Sequence, residues 1–409
     1  MLTRHTEDWL DGYLNYTKNT EPPRLFRAWT ALSVIAAALQ RKCSLPWGTL
    51  TFYPNLYIVL VAPSGKARKG TAMGPGMDFL DDLEIKLAAE ATTRESLIRE
   101  IKNATDNIIG EDGSVTFHAS LTIYSQELTV FLGYQNQQLM SDLTDWFDCR
   151  KRWTYRTKNM GTDDIIGIWI NLIGATTPDL IQTSLPLDAI GGGLTSRMIF
   201  VYEQRKGKIC PVPFLSQEEK DLRQELLKDL EQIHMLQGEY KVTKDFLSLW
   251  IDWYKAQEDN PPFEDDRFAG YFERRPMHAM KLSIILCASR TNKLLVERED
   301  LERSIRLLEE TEIKMPYTFS GVGKSSIADT INRVMTEVGL QKTCTFAHLM
   351  GRFYRDVDKL TLQKILDSLE SMRFITYGTS VEGERVIVCT TDSNYVRDLE
   401  LQKEITDEE

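Results

Sequence analysis

The stretch that most constrains the fold is residues 56–71, LYIVLVAPSGKARKGT. Residues 57–61 form an apolar run, which predicts a strand buried on both faces. The run ends at Pro63-Ser64-Gly65, residues that are typical of a turn. Three cations follow within the turn: Lys66, Arg68 and Lys69. We therefore expect a buried strand that leads directly into a basic loop.

A basic loop between a strand and a helix can hold phosphates, because backbone N–H groups at the helix start act together with a lysine. The usual motif is G-x-x-x-x-G-K-[ST]. If Lys69 is the phosphate lysine, Pro63 and Arg68 replace the two glycines, and Gly70 displaces the hydroxyl to Thr71. The alternative is a solvated basic turn. The candidate cofactor-binding residues of the loop are Pro63, Ser64, Gly65, Lys66, Arg68, Lys69, Gly70 and Thr71.

Composition limits the classes of protein that fit. A chain of 409 residues is long enough for two or three domains. No apolar run reaches the roughly 20 residues that span a bilayer, and the acidic start does not read as a secretory signal, so we expect a cytoplasmic protein without membrane contact. The six cysteines are scattered and show no zinc spacing. A net charge of −11 argues against nucleic acid binding over the whole surface, but it leaves room for a local basic channel.

Two further apolar runs end in polar residues suited to nucleotide hydrolysis. Residues 118–124 predict a buried strand, and Glu127 follows it, where a carboxylate can polarise water or hold Mg²⁺. The alternative for Glu127 is a helix N-terminal residue favoured by the helix dipole. Residues 165–173 predict a third strand, and Thr176 or Thr177 after it can sense a γ-phosphate or orient water.

A basic and aromatic cluster occupies residues 149–158. The alternation of cations with aromatic rings predicts a hairpin that could follow phosphates and stack on bases. An exposed charged hairpin without a ligand is the alternative. The candidate DNA-binding residues are Arg150, Lys151, Arg152, Trp153, Tyr155, Arg156 and Lys158.

Two arginines are candidates for the phosphate chemistry. Arg197 precedes a fourth apolar run, 198–202, and follows three glycines, which suits action in trans on a neighbour's nucleotide. A surface arginine paired with an acid is the alternative. Arg275 is expected to open the helix 277–289 and to reach back to the phosphates.

The rest of the chain is mainly helical. Gly74-Pro75-Gly76 is expected to weaken any helix over 71–87, whereas a helix over 95–104 is clear. A second motif-like string, GVGKS at 321–325, matches the end of a phosphate loop better than the first, but no buried strand precedes it. Residues 326–392 predict three helices and a hairpin, the pattern of a winged helix, and the acidic tail is expected to be disordered.

The order of these segments resembles the core of the AAA+ ATPases. It is most similar to the helicase-type replication proteins of phages, plasmids and other mobile genetic elements, which commonly begin with a Glu-Pro-Pro helical segment before a stretch like YPNLYIVLVAPSGKARKGT. LTSRMIFVY resembles the arginine-finger strand of the minichromosome maintenance helicases, and ERRPMHAMKLSIILCASR their sensor-2 helix.

The resemblance implies a role for several single residues. It places Lys69 and Thr71 at the triphosphate and Mg²⁺, and Glu127 at the catalytic water and the same metal ion. It implies Asn171 or Thr176 as sensor 1, Arg197 as the finger and Arg275 as sensor 2. The chain departs from the family at Arg68, where a glycine is usual, and at Ser125, where an aspartate is usual.

The resemblance also implies an α/β fold with a P-loop core of the α/β/α type. The expected parts are an N-terminal helical segment (1–48), the core (49–210), a helical lid (211–320), a winged-helix domain (321–395) and an acidic tail (396–409). The leading hypothesis is an ATP- and Mg²⁺-dependent DNA helicase that forms a hexameric ring around single-stranded DNA, with a primase or an initiator protein as a further partner. The alternatives are a non-hydrolysing initiator or helicase loader, and a metabolic kinase.

Overall fold

The computed structural model describes residues 4–390, except 111–112, 134–135, 158–160, 186–191, 260, 264, 320–327, 355, 373 and 380–384. Lys158, the GVGKS string and the acidic tail therefore lie outside the described residues. The chain divides into two compact units, Met1–Gly321 and Val322–Glu409. The expected N-terminal segment, core and lid all lie in the first unit.

The first unit is built on a five-stranded sheet. Its strands, in sequence order, are β3 (Tyr57–Val61), β4 (Thr105–Ile109), β5 (Val115–Ser125), β8 (Ile168–Thr176) and β9 (Met198–Tyr202). The spatial order is β4-β5-β8-β3-β9. The last four strands in this order are parallel to one another, and β4 runs antiparallel to β5. Every residue of β3 and β8 is buried, as expected for parallel strands covered on both faces.

Short strands complete the first unit. They are β1 (Cys43–Trp47), β2 (Leu50–Phe52), β6 (Arg152–Thr157), β7 (Gly161–Ile166), β10 (Gly238–Glu239), β11 (Lys241–Val242) and β12 (Leu295–Val296). β6 and β7 form the antiparallel hairpin that the basic cluster predicted.

The helices of the first unit cover the sheet and extend beyond it. They are α1 (Trp9–Tyr16), α2 (Arg24–Leu39), α3 (Lys69–Asp82), α4 (Arg94–Asn103), α5 (Leu128–Leu132), α6 (Gln137–Phe147), α7 (Pro178–Ser184), α8 (Gln217–His234), α9 (Lys244–Asp259), α10 (Ala269–Arg290) and α11 (Arg298–Glu312). α2 is apolar and packs against β3, β8 and β9.

The third predicted strand is wrong at both ends. The apolar run 165–173 is divided at Gly167, which has φ +60°, a backbone conformation that favours glycine. A Cβ at this position would lie 2.6 Å from the carbonyl oxygen of Phe117. Ile165 therefore belongs to the hairpin, while β8 continues three residues past the run to Thr176.

Two helices continue through a proline where the sequence predicted a weakness or a start. α3 includes Pro75, because the helix packs closely on α2 and its core side chains, such as Phe79, are fully buried. α10 begins at Ala269 and includes Pro276, so the expected helix start at 277 is wrong. In both cases burial outweighs the hydrogen bond that proline cannot donate.

Gly76 lies at a close contact between α3 and α2, and its replacement tests this packing. A Cβ there would lie 2.6 Å from Thr30 Cγ2 and 2.6 Å from the Tyr124 hydroxyl. We expect Gly76→Ala to lower the free energy of unfolding by about 1–3 kcal/mol through overpacking. Gly74→Ala is the control, since nothing lies within 4 Å of its Cβ position, and there we expect a gain of about 0.5–1 kcal/mol. Chemical denaturation measures both, and equal effects would contradict the packing argument.

The second unit contains three helices and a small antiparallel sheet. The helices are α12 (Ala328–Gln341), α13 (Phe346–Phe353) and α14 (Lys359–Ser371), and the strands are β13 (Thr343–Thr345), β14 (Ile375–Thr379) and β15 (Arg385–Cys389). The sheet order is β13-β15-β14. The core is formed mainly by Leu349, Leu362, Leu366 and Leu369 together with Val334 and Val338. Gln363 and Lys364 on α14 are exposed.

In the described part of the chain, we find no helix with the length and apolar character needed to cross a bilayer.

Candidate functional site

The loop between β3 and α3 has the backbone conformation of a tight, glycine-rich turn. Gly65 has φ +71° and Arg68 has φ +56°. Arg68 stands where the phosphate-loop motif has its second glycine, and it adopts the left-handed conformation that glycine adopts freely. For a residue with a Cβ this conformation costs roughly 1–2 kcal/mol. Arg68 thus has a backbone conformation that favours glycine, at the position where the sequence departs from the motif.

The amino end of α3 is open to an anion. α3 begins at Lys69 with no side-chain cap and no acidic residue in its first turn. The first N–H groups of a helix have no partner within the helix, and the helix dipole adds a partial positive charge there. An anionic ligand such as phosphate would therefore be stabilised at this position.

The side chain of Lys69 is held at the loop by a backbone carbonyl group. Its Nζ donates to the carbonyl oxygen of Ala62 at 2.8 Å, across the turn. Burial lowers the pKa of Lys69, and the nearby carboxylate of Glu127 opposes the shift. The ammonium group is therefore already close to the loop, partly dehydrated and facing a carboxylate.

A cavity of about 350 Å³ joins the loop to the ends of two neighbouring strands. Glu127 follows β5 and Thr176 ends β8, and both line the cavity opposite Lys69 and Thr71. The structure thus brings together the loop, the carboxylate and the threonine that the sequence singled out separately. Gln126 also lines the cavity, with its Oε1 3.1 Å from the Cβ position of Gly70, and the sequence analysis gave it no role.

The hydroxyl group of Thr176 is available for a hydrogen bond to a ligand in this cavity. Thr176 is 2% exposed, and its Oγ1 has no hydrogen-bond partner among the residues that the structure describes. A buried polar atom without a partner costs about 1–3 kcal/mol, so such atoms are rare unless a water or a ligand satisfies them. A phosphate oxygen would fit this requirement, together with Lys69 and the start of α3.

The residues also fit Mg²⁺, within limits. Thr71 and Glu127 supply one hydroxyl and one carboxylate on the same cavity. Mg²⁺ is commonly held by one or two carboxylates together with substrate phosphates and water. Because Glu127 is the one carboxylate among the residues that line the cavity, the ion would depend on the phosphates for binding.

A second cavity, of about 810 Å³, borders the other side of the loop at Pro63 and Lys66. Tyr202 and Tyr317 face each other there, with ring centroids 5.6 Å apart. The ammonium of Lys314 lies 2.8 Å from the carboxylate of Glu203. This cavity offers aromatic rings next to the loop, and the residues that line the first cavity include none.

Glu21 contributes to the loop, and the sequence analysis assigned it no role. Its carboxylate accepts hydrogen bonds from Lys206 and from Arg68, each at 2.6 Å. These bonds lower the pKa of Glu21 to about 2. The Glu21-Pro22-Pro23 segment in front of α2 is the signal in the sequence that could have pointed to it. The ion pair fixes Arg68, and with it the turn, against the N-terminal segment.

Asn171 does not lie at the cavity, and its prediction as sensor 1 is wrong. It is fully buried in the middle of β8, beside Leu172, which pairs with the first residue of β3. Its amide donates to Ser33 and accepts from the backbone N–H of Leu56. Asn171 therefore joins α2 to the sheet, and Thr176 is the remaining candidate.

Arg275 is also misplaced by the sequence analysis. It lies in the second turn of α10, where its guanidinium forms two hydrogen bonds to Glu312, at 2.7 and 2.9 Å. It is 4% exposed and lines a different cavity, beside Trp253. Arg275 therefore forms an internal ion pair between α10 and α11, and it lies on a different cavity from the loop.

Arg197 lies at the opposite end of the sheet from the cavity. It ends a short 3-10 turn, Thr195–Arg197, just before β9, and Met198 pairs with the first residue of β3. The length of β3 therefore separates it from the loop, roughly 16 Å. Its guanidinium contacts Asp148 at 2.8 Å and the carbonyl oxygen of Gly193 at 2.7 Å. Arg197 cannot serve the cavity of its own chain.

The β6–β7 hairpin presents its cations on one face and packs its aromatic rings on the other. Arg152, Thr154 and Arg156 are exposed. Trp153 contacts Trp146, with centroids 5.4 Å apart, and Tyr155 lies under the guanidinium of Arg94 at 4.8 Å. These two rings are half-buried with partners in the chain, so the structure does not support their predicted role in stacking on bases.

Two cations in and beside the hairpin, Arg150 and Arg152, have carboxylate partners. Arg152 pairs with Asp164 at 2.5 Å. Arg156 donates to the hydroxyl of Thr162 at 3.0 Å. Arg150, just before β6, lies 3.1 Å from Asp145, with both groups exposed. Exposed ion pairs of this kind are weak and exchange readily for other anions.

No protein-family model matches this sequence, and no curated protein matches it significantly. The assignment of function therefore depends on the geometry of the site.

Proposed function

We propose that the chain is an AAA+ ATPase that works as a DNA helicase or translocase. The observation that carries this proposal is the cavity at the carboxyl ends of β3, β5 and β8, which collects the phosphate-type loop, Glu127 and Thr176. Ligands of open α/β sheets bind at the carboxyl ends of the strands, where the chain changes direction across the sheet. Here β4, β5 and β8, which follow β3 in the sequence, lie on one side of β3, and β9 lies on its other side.

The chain's own residues divide the work of hydrolysis in this proposal. The N–H groups at the start of α3 and the ammonium of Lys69 bind the phosphates. Glu127 accepts a proton from the attacking water, and the Thr176 hydroxyl orients that water or a phosphate oxygen. ATP supplies the phosphoryl group together with Mg²⁺, and the second cavity beside Pro63 has room for the base and ribose.

A ring of six copies would complete each site in this proposal. Arg197 lies away from its own cavity, which suits an arginine that acts on the nucleotide of a neighbour. The β6–β7 hairpin would then carry Arg152 and Arg156 to the central opening, where they would contact the phosphates of single-stranded DNA. The winged helix that we propose for the second unit has the strand order and helix number of that module, and it would bind DNA, a primase or an initiator.

Glu127→Gln tests the chemical step. We expect the variant to bind ATP with near wild-type affinity and to lose about 100-fold in the rate of hydrolysis, because glutamine cannot accept the proton. The assay measures phosphate release with and without single-stranded DNA, and the wild-type rate is expected to rise with DNA. A rate that ignores both DNA and the substitution would favour a different enzyme class, such as a metabolic kinase.

One observation favours a second function, that of an ATP-dependent initiator or helicase loader. Ser125 ends β5 where the family has an aspartate, which weakens metal binding and with it hydrolysis. Strand displacement on a forked DNA separates the two. The motor unwinds it alone, whereas a loader needs a partner helicase.

A further inference from the structure

Another cavity, of about 430 Å³, lies at the amino end of the sheet and is lined by five cationic residues. It is formed by the β1–β2 turn, the residues before β6 and one face of α10. Its cationic residues are Arg41, Arg150, Lys151, Arg274 and Lys281. Asp148 is the one acidic residue among the residues that line it. The chain as a whole has a net charge of −11, so this cavity concentrates charge of the opposite, positive sign.

Two cations of the cavity, the buried Lys281 and the half-buried Arg41, have no acidic partner among the described residues. Lys281 is 3% exposed; its ammonium donates to the Asn55 side chain and lies 4.1 Å from the Phe147 ring centroid. Arg41 donates to the carbonyl oxygens of Cys149 and Ile168. Neither has a carboxylate within ion-pair distance in the described ranges of the chain. A buried charge without a counter-ion is costly, and such groups are often found at functional sites.

Asp148 does not supply the missing charge. Its carboxylate already contacts Arg197 at 2.8 Å and lies 3.9 Å from Arg274. Burial lowers the pKa of Lys281 to about 8; Cys149 and Asp148 oppose this shift in part, and Arg197 and Arg274 add to it. With five cationic residues and one acid among the residues that line it, the cavity carries an excess of positive charge.

We propose that this cavity binds a phosphate of a single-stranded nucleic-acid backbone. Arg41 and Lys281 supply positive charge, and Thr49 places a hydroxyl group at the rim. Cationic and hydroxyl groups are the usual contacts of proteins to phosphodiesters. Arg150 and Lys151 line the cavity and lead directly into Arg152 of the hairpin, so a strand held at the hairpin would continue into it. The inference rests on the proposed binding of DNA.

Thr51 allows a test that leaves the buried residues intact. It is exposed on β2 and lines the cavity. Thr51→Glu adds a negative charge at the mouth, whereas Thr51→Gln has the same shape without the charge. We expect Thr51→Glu to weaken binding of a fluorescent poly-dT oligonucleotide about tenfold, and Thr51→Gln to change it less than twofold. The dependence of affinity on salt should also become less steep for Thr51→Glu.

Lys281→Gln gives a second measurement on this cavity. The amide keeps a hydrogen bond to Asn55 but removes the charge, and we expect a loss of affinity of about tenfold. Thermal melting checks that this variant folds. Unchanged affinity in both Thr51→Glu and a folded Lys281→Gln would overturn the proposal.

Parallel titrations distinguish a nucleic-acid strand from a free polyphosphate as the ligand of this cavity. Inorganic pyrophosphate is titrated against each Thr51 variant. If Thr51→Glu weakens only pyrophosphate binding, the cavity serves a free polyphosphate and the proposal is overturned.

A double variant, Arg152→Ala with Arg156→Ala, reports on the hairpin. Loss of oligonucleotide binding in that variant but not in Thr51→Glu would overturn this inference and leave the proposed function standing. Wild-type protein that binds no oligonucleotide would overturn both.

Discussion

Replacing Lys69 with alanine is expected to lower the rate of ATP hydrolysis by at least about 100-fold. The ammonium is held beside the start of α3 by Ala62 and faces Glu127 across the cavity. Removal of one well-placed donor from a transition state costs roughly 10²–10³ in rate. Because the Lys69 side chain is half-buried and makes one hydrogen bond to the backbone, folding should be little changed. Steady-state phosphate release and a melting curve measure the two effects.

The matched control for Lys69→Ala is Lys228→Ala. Lys228 is an exposed lysine on α8 that lies on none of the cavities described above. Its replacement removes the same charge and is expected to leave hydrolysis unchanged. Undiminished activity of Lys69→Ala would move the phosphate site elsewhere, first to Lys324 in the GVGKS string, and Lys324→Ala would then be the inactive variant.

Arg197→Ala is expected to lower hydrolysis by about 10³-fold or more in the assembled protein, as for other arginines that act in trans. The decisive experiment mixes Arg197→Ala protein with Lys69→Ala protein. Each variant alone lacks an essential group, but in a mixed ring a Lys69→Ala subunit offers its intact Arg197 to the intact cavity of an Arg197→Ala neighbour. Activity should therefore reappear on mixing, which phosphate release measures as a function of the ratio.

A control separates this role from the ion pair. Arg197 contacts Asp148, so its loss could act through that contact alone. Asp148→Asn removes the ion pair and leaves the arginine, and we expect it to retain most of the hydrolysis. Mixtures that stay inactive at every ratio would count against catalysis in trans. An inactive Asp148→Asn would make Arg197 a structural residue.

The convergence of the loop, Glu127 and Thr176 could be predicted from the sequence, because the carboxyl ends of parallel strands share one edge of a sheet. The prediction failed for the positions of residues along β8. The apolar run at 165–173 stopped before Gly174, yet Ala175 and Thr176 pair with Leu60 and Val61 and extend β8 to the cavity. This tertiary pairing moved Asn171 into the middle of the strand. The pairing register of β8 with β3, which decides between Asn171 and Thr176, could not be predicted from the sequence pattern.

Arg275 and the aromatic residues of the hairpin failed for a related reason. Pro276 reads as a helix boundary, but α10 starts seven residues earlier, and the partner of Arg275 is Glu312 on a later helix. In the hairpin, the alternation of side chains was predicted correctly. Which side faces the protein depends on Trp146, at the end of α6. Contacts between distant segments, and not local propensity, decided these three residues.

The most direct test is a crystal structure of the protein with a non-hydrolysable ATP analogue and Mg²⁺. We expect the phosphates at the start of α3, the ammonium of Lys69 turned from Ala62 to a phosphate oxygen, and the Thr176 hydroxyl within hydrogen-bond distance of the γ-phosphate or its water. A nucleotide bound at another place, with Lys69 still on Ala62 and Thr176 still without a partner, would contradict the account.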